Sequence, residues 1–120
     1  MTKKENGKST ISIFCDYCAW GLWLDGAAID ADYLKEDLDF PEEFVDRIRE
    51  PIERWQNMYE GFNLYTSEEE SNEVYASSHF KEFEELGLEI ADLFRELNPK
   101  IRDKYNFEYL DERTSKRLPI

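Results

Sequence analysis

The sequence predicts an α+β domain: a small sheet of three or more strands with two amphipathic helices packed on one face, in the order β-β-α-α-β. Three observations carry this. Residues 10–15 alternate, with Ile11, Ile13 and Cys15 to one side and Ser12, Phe14 and Asp16 to the other, the period of a half-buried strand. Two later segments place apolar residues every three or four positions, the period of a helix with one buried stripe. They are Phe44, Ile48, Ile52, Trp55, Tyr59 and Phe62, then Phe80, Phe83, Gly87, Ile90, Phe94 and Leu97. Near the end, Tyr105, Phe107 and Tyr109 alternate with Asn106, Glu108 and Leu110, a closing strand. Each helix has one stripe to bury, and a shared sheet face is the most economical cover.

Taken in order, residues 1–9 are polar and expected to be disordered, 10–110 form one domain, and 111–120 are a polar tail without pattern. "GLWLDG", residues 21–26, is a second strand closed by the turn signal Asp25-Gly26, antiparallel to the first across the Asp16–Trp20 connection. Residues 27–40 are irregular, with a short turn of helix around Tyr33–Asp37. Pro41, Glu42 and Glu43 open the first long helix, where a fixed φ and negative charge both suit the N-terminus. Pro51 lies inside that helix and removes a backbone donor, so a kink or break is expected near Arg47–Glu50. Gly61 marks its end. Residues 63–75, with Glu68, Glu69 and Glu70 together, read as a loop. Asn98-Pro99 ends the second long helix. Gly87, within its apolar stripe, costs about 1 kcal/mol relative to alanine, which implies a close neighbour, such as one of the tryptophans.

Charge dominates the composition. Across 120 residues, 28 acids oppose 15 bases for a net of −13, with a pI near 4.4 and mean hydropathy of −0.74. Residues 9–110 alone hold 25 acids and 9 bases, a net of −16. Such a body repels phosphate, so nucleic acid and anionic lipid are excluded as partners. It attracts a basic protein and speeds the encounter. No apolar run is long enough to span a bilayer and no apolar stretch follows the N-terminal lysines, so the expectation is a cytoplasmic chain with free thiols.

Motifs for chemistry are weak. Cys15 and Cys18 lack a second ligand pair for zinc, and they lead into a strand rather than a helix as a redox pair would. His79 has no nucleophile motif beside it. The acids Asp30, Asp32, Glu36, Asp37 and Asp39 do not match a calcium loop. No catalytic residue, metal ligand or cofactor site is therefore assigned. The opening stretch offers more. Trp20 and Trp23 are three residues apart, so on a regular strand they face opposite sides and one lies outside the helix-covered core. An exposed tryptophan rimmed by acids has the composition of a protein-binding hot spot. The candidate contact surface is Asp16, Trp20, Asp25, Asp30, Asp32, Glu36, Asp37 and Asp39.

Asp16-Tyr17, Trp20, Leu22-Trp23, Trp55 and Tyr59, with Phe83, Gly87, Ile90-Ala91, Phe94 and Tyr105–Tyr109, resemble a group of small acidic bacterial proteins. Their signature is Asp-Tyr-x-x-Trp-x-Leu-Trp, and the resemblance covers residues 11–110. The sequence departs from the group at Gly21, where proline is usual, and at Pro51. In size and charge the group is similar to immunity and antitoxin proteins. By that analogy the chain is expected to be a non-enzymatic inhibitor, a monomer or weak dimer, that caps a basic toxin domain such as a nuclease. Two rival expectations are a nucleic-acid mimic directed at a DNA-binding enzyme, and a small-molecule binder or enzyme with a pocket near Trp20 and Trp23.

Overall fold

A computed structural model describes residues 7–16, 19–62, 68–111 and 116–120. The alternation at the N-terminus produces β1 (Ser9–Ile13), with Ile11 and Ile13 fully buried and Cys15 beyond them at 4% exposure. β2 (Leu22–Leu24) pairs antiparallel with β1, joining Ile11 to Leu24 and Ile13 to Leu22. β3 (Ala27–Ile29) follows at once. Asp25 and Gly26 take φ values of 49° and 87°. Two consecutive positive φ values are what a two-residue hairpin turn matched to strand twist demands, so Asp25-Gly26 joins two strands rather than closing the last one. Asp25 also ties this hairpin to β1: its Oδ1 accepts from the Thr10 amide at 2.8 Å, and its own amide donates to the Thr10 carbonyl at 2.9 Å. Asp25→Ala loses that acceptor and places a less tolerant residue at positive φ. It should cost about 1–2 kcal/mol in urea denaturation.

The chain then builds α1 (Ala31–Glu36), α2 (Glu42–Phe62), α3 (Glu68–Tyr75), α4 (Ser78–Arg95) and α5 (Pro99–Arg102) before returning as β4 (Tyr105–Leu110) and β5 (Arg117–Pro119). β4 lies parallel to β1, Ile11 beside Phe107 and Ile13 beside Tyr109, and the sheet order is β3-β2-β1-β4-β5. A parallel pair needs a long crossover, which the helical segment supplies. The other three pairings are antiparallel.

The expected α+β class holds, but the expected order needs correction. Among the described residues there are five strands and five helices, where the order β-β-α-α-β names three and two. β3 and β5 are three-residue strands, too short for alternation to be seen. β5 also lies in the stretch read as an unpatterned tail. α3 occupies most of the stretch read as a loop, while 63–67 lie outside the described residues. The N-terminal segment expected to be disordered also lies outside them up to residue 6, and Ser9 already belongs to β1. No break occurs at Pro51, since α2 runs unbroken through it. Proline forfeits one hydrogen bond, but Ile48, Ile52 and Trp55, each no more than 1% exposed, hold both sides of it in one buried stripe.

α2 and α4 close over the sheet face that carries Ile11, Ile13, Leu22, Phe107 and Tyr109. Trp55 stacks on Phe83 of α4 at 5.4 Å between ring centroids and on Tyr109 of β4 at 6.3 Å. Phe94 meets Phe107 at 5.9 Å. Two glycines are shaped to Trp55. A Cβ on Gly21 would sit 3.3 Å from the indole Cζ3, and its φ of +86° is closed to proline. A Cβ on Gly87 would come within 3.0 Å of the indole Nε1. The close neighbour expected of Gly87 is thus a tryptophan, Trp55. Ser77 caps α4 through its Oγ, which accepts from the Phe80 amide at 3.1 Å, and Asn98 caps α5.

Candidate functional site

The helices fill one side of the molecule and hold nearly all of its excess charge. Residues 30–62 and 68–96 carry 21 acids and 6 bases, a net of −15, while the rest of the chain carries 7 acids and 9 bases. Four of the six bases form ion pairs inside the helical layer: Lys35–Glu42 at 3.1 Å, Arg47–Glu96 at 3.5 Å, Arg49–Asp46 at 4.0 Å, and Arg95–Asp92. All are exposed pairs of small energetic value, and they leave most of the carboxylates unneutralised. Lys35 is held above its usual pKa by its hydrogen bond and charge contact with Glu42.

The predicted contact residues divide between two ends of the sheet. Asp32, Glu36, Asp37 and Asp39 are exposed on and after α1, and Asp30 caps that helix, its Oδ1 accepting from the Tyr33 amide at 2.8 Å. Asp16 and Trp20 belong to the connection leading into Leu22. The pairing of Leu22 with Ile29 brings that connection to the end of the sheet from which α1 starts. Asp16 is partly buried, and its carbonyl accepts from Gln56 Nε2, a side chain 4% exposed. Trp20 is half-buried against the core. Asp25 lies at the opposite end of β2 and β3, joined to Thr10. Asp39 lies near Tyr105, which pairs with Ser9 at the Asp25 end of the sheet. α1 and the residues after it therefore lead away from Asp16 and Trp20, and the eight residues do not gather at one end.

The tryptophan that leaves the helix-covered face is Trp23. Leu22 points into the core, and Trp23 stands on the other face of the sheet, stacked on Phe14 at 4.5 Å with rings 2° from parallel. Its Nε1 donates to the Phe14 carbonyl at 3.0 Å. Beside it lies a polar trio. Ser12, 5% exposed, donates to Glu108 Oε2 at 2.8 Å, and Arg117 pairs with the same oxygen. Sequence reasoning missed Ser12, Glu108 and Arg117 because they meet only through the register of β1, β4 and β5, and Ser12 and Glu108 are 96 positions apart.

Open grooves mark the described surface, and three of them are well placed in the fold. One of about 290 Å³ lies along β4 and β5 between Arg102 and Arg117; another of about 370 Å³ separates α2 from α4; the third, about 490 Å³, opens at the start of α4. None of the three is lined by Trp20 or Trp23. Among the described residues no group of three or more His, Cys, Asp or Glu side chains is placed to hold a metal ion. Cys15 is buried, and Cys18 lies outside the described residues. His79 is exposed in the first turn of α4 rather than ahead of it. The Tyr105 hydroxyl is pushed up in pKa by burial first, then by the Asp39 carboxylate and Tyr33. Among the described residues no helix is long and apolar enough to cross a membrane. Comparison with known proteins finds no matching family model, no matching curated protein and no matching solved structure.

Proposed function

We propose that this chain is a non-enzymatic, acidic protein-binding module, an immunity-type inhibitor that caps a basic domain of a toxin such as a nuclease. One observation carries the reading: a net of −15 is gathered on the helical side of the fold while the remaining residues carry a slight positive excess. Segregated charge of one sign steers an oppositely charged protein into a defined orientation and raises its association rate. Carboxylates on exposed helix surfaces can occupy the phosphate-binding surface of such a partner. Asp32, Glu36, Asp37, Asp39 and Glu43, on and after α1 and at the start of α2, are exposed and available for that contact.

The rings of Phe14 and Trp23 lie on the opposite face of the sheet from the helices. One flat partner surface therefore engages either the acidic side or the aromatic pair, and the charge distribution favours the acidic side.

Affinity capture from the native host at low salt tests the proposal. The expected result is a basic protein whose nucleic-acid-cleaving activity is titrated to zero at a stoichiometric ratio, with affinity falling steeply as salt rises. Recovery of metabolites or nucleic acid alone would remove it.

A further inference from the structure

We propose that the sheet face opposite the helices binds a second copy of this chain, so that two molecules pack sheet to sheet with their acidic helical layers outward. The register defines this face. Ser12 lies beside Trp23 on one side and Glu108 on the other, Trp23 lies beside Ala28, and Glu108 lies beside Pro119. Cross-strand neighbours point to the same face, so one row of side chains crosses all five strands. The helices pack on the other face, which carries Ile11, Ile13 and Phe107. The open face of a sheet covered on one side ordinarily reads as polar. Here it carries the stacked rings of Phe14 and Trp23, with Ala28 and Pro119 exposed at its two edges.

Charge selects a second copy as the occupant. The charged strand residues of this face are Glu108 and Arg117, and they pair with each other. The face is therefore neutral, while residues 30–62 and 68–96 carry a net of −15. Contact between two copies through their helices sets like charge against like. Contact through the sheets leaves the two helical layers roughly 30 Å apart, from a sheet spacing of about 10 Å and a helix diameter of about 10 Å on each side. At a screening length of about 8 Å in physiological salt, their repulsion is small.

Shape fixes the orientation. A two-fold axis along β1 at Ser12 returns the row to itself in reverse, with Trp23 of each copy over Glu108 of the other and Ala28 over Pro119. The rings on β1 and β2 then enter the groove of about 290 Å³ along β4 and β5, which Glu108, Arg117 and Pro119 help to line. The Arg117 guanidinium meets the face of the incoming indole. An axis across the strands would set ring over ring and groove over groove, and the voids left would forfeit contact. The row is only about 20 Å long at a strand spacing of about 4.8 Å, so the contact falls short of the ~800 Å² per partner of a standard interface and the dimer exchanges rapidly. It presents two acidic sides facing away from each other.

Sedimentation equilibrium of the full chain from about 10 µM to about 1 mM tests this. The weight-average mass should rise from monomer towards dimer. Ala28→Lys should weaken association about tenfold, because a lysine there is buried against the second copy. Leu88→Lys adds the same charge at an exposed position on α4 and should not weaken it. Both variants reduce the net negative charge, so a loss confined to Ala28→Lys is not an effect of the overall field. Raising sodium chloride from about 20 to about 300 mM should strengthen the dimer about threefold by screening the helical layers, the reverse of its effect on binding a basic protein. Amide signals of Trp23 and Ala28 on one half of the face, and of Glu108 and Arg117 on the other, should shift together with concentration.

A monomer throughout the range would overturn the proposal, as would loss from Leu88→Lys in place of Ala28→Lys, or a dimer that weakens as salt rises. Shifts confined to one half of the face would overturn the two-fold pairing. The acidic-module reading stands or falls separately, on inhibition of a captured basic protein.

Discussion

Replacing Trp55 with alanine should lower unfolding free energy by about 3–5 kcal/mol, the range for deleting a large aromatic from a packed core. Against a total of about 5–15 kcal/mol for a domain of this kind, such a loss leaves a substantial unfolded fraction. The residue is 1% exposed, stacks on rings from both α4 and β4, and has two glycines abutting its indole. Its removal opens a cavity at the junction of three elements, with little nearby that can collapse into it. The milder Trp55→Phe should cost less, on the order of 1–2 kcal/mol, partly because it also deletes an indole Nε1 that is buried without a hydrogen-bond partner. Trp23→Ala, on the other face of the sheet, should cost about 1–2 kcal/mol through loss of its stack with Phe14. Urea melts followed by far-ultraviolet circular dichroism give all three values. A larger loss for Trp23→Ala than for Trp55→Ala would place the core on the wrong side of the sheet.

Gly87→Ala should destabilise the protein although helix propensity favours it. Alanine in a helix interior is worth about 1 kcal/mol over glycine. The added Cβ, however, would stand 2.6 Å from the Tyr109 hydroxyl and 3.0 Å from Trp55 Nε1. Neither group can swing clear: Tyr109 is 5% exposed, and Trp55 is wedged between Phe83 and Tyr109. Relief requires α4 to move off the sheet, and overpacking of this kind costs about 1–3 kcal/mol net. A double-mutant cycle with Tyr109→Phe, which removes the nearest atom, should show the two changes to be less than additive. Gly61→Ala is the control. Gly61 is exposed in the last turn of α2, and its Cβ would meet nothing within 4 Å, so that variant should be neutral or stabilising by a few tenths of a kcal/mol. Stabilisation by Gly87→Ala would refute the close approach of α4 to Trp55.

Legibility in the sequence followed the reach of each signal. Residues 44–62 and 80–97 declared themselves as helices because a stripe repeated over several turns averages out single exceptions. That is also why Pro51, read as a break, did not become one: the buried stripe on either side outweighs one missing donor. β1 and β4 were recognisable from alternation alone. β3 and β5 were not, since three residues cannot display a period, and both exist because a neighbouring strand offers its edge. α3 was hidden by its glutamates, a residue type that suits loop and helix alike. For the candidate surface, the acids around α1 were visible as a cluster, but Asp16, Trp20 and Asp25 were grouped with them by chain proximity, and the sheet places Asp16 and Trp20 at one end and Asp25 at the other.

The sequence by itself determined the α+β class, the long helices, the two principal strands and the excess of negative charge, because periodicity and net charge are sums over local residues and need no knowledge of what lies opposite. Only the tertiary structure decided which tryptophan is core, that β1 and β4 run parallel, that Phe14 and Trp23 stand on the face opposite the acidic helices, and that a groove separates α2 from α4. Each of these depends on register or packing between segments distant in the chain. Such pairings are selected by the simultaneous burial of all the stripes, which no single stretch of residues encodes.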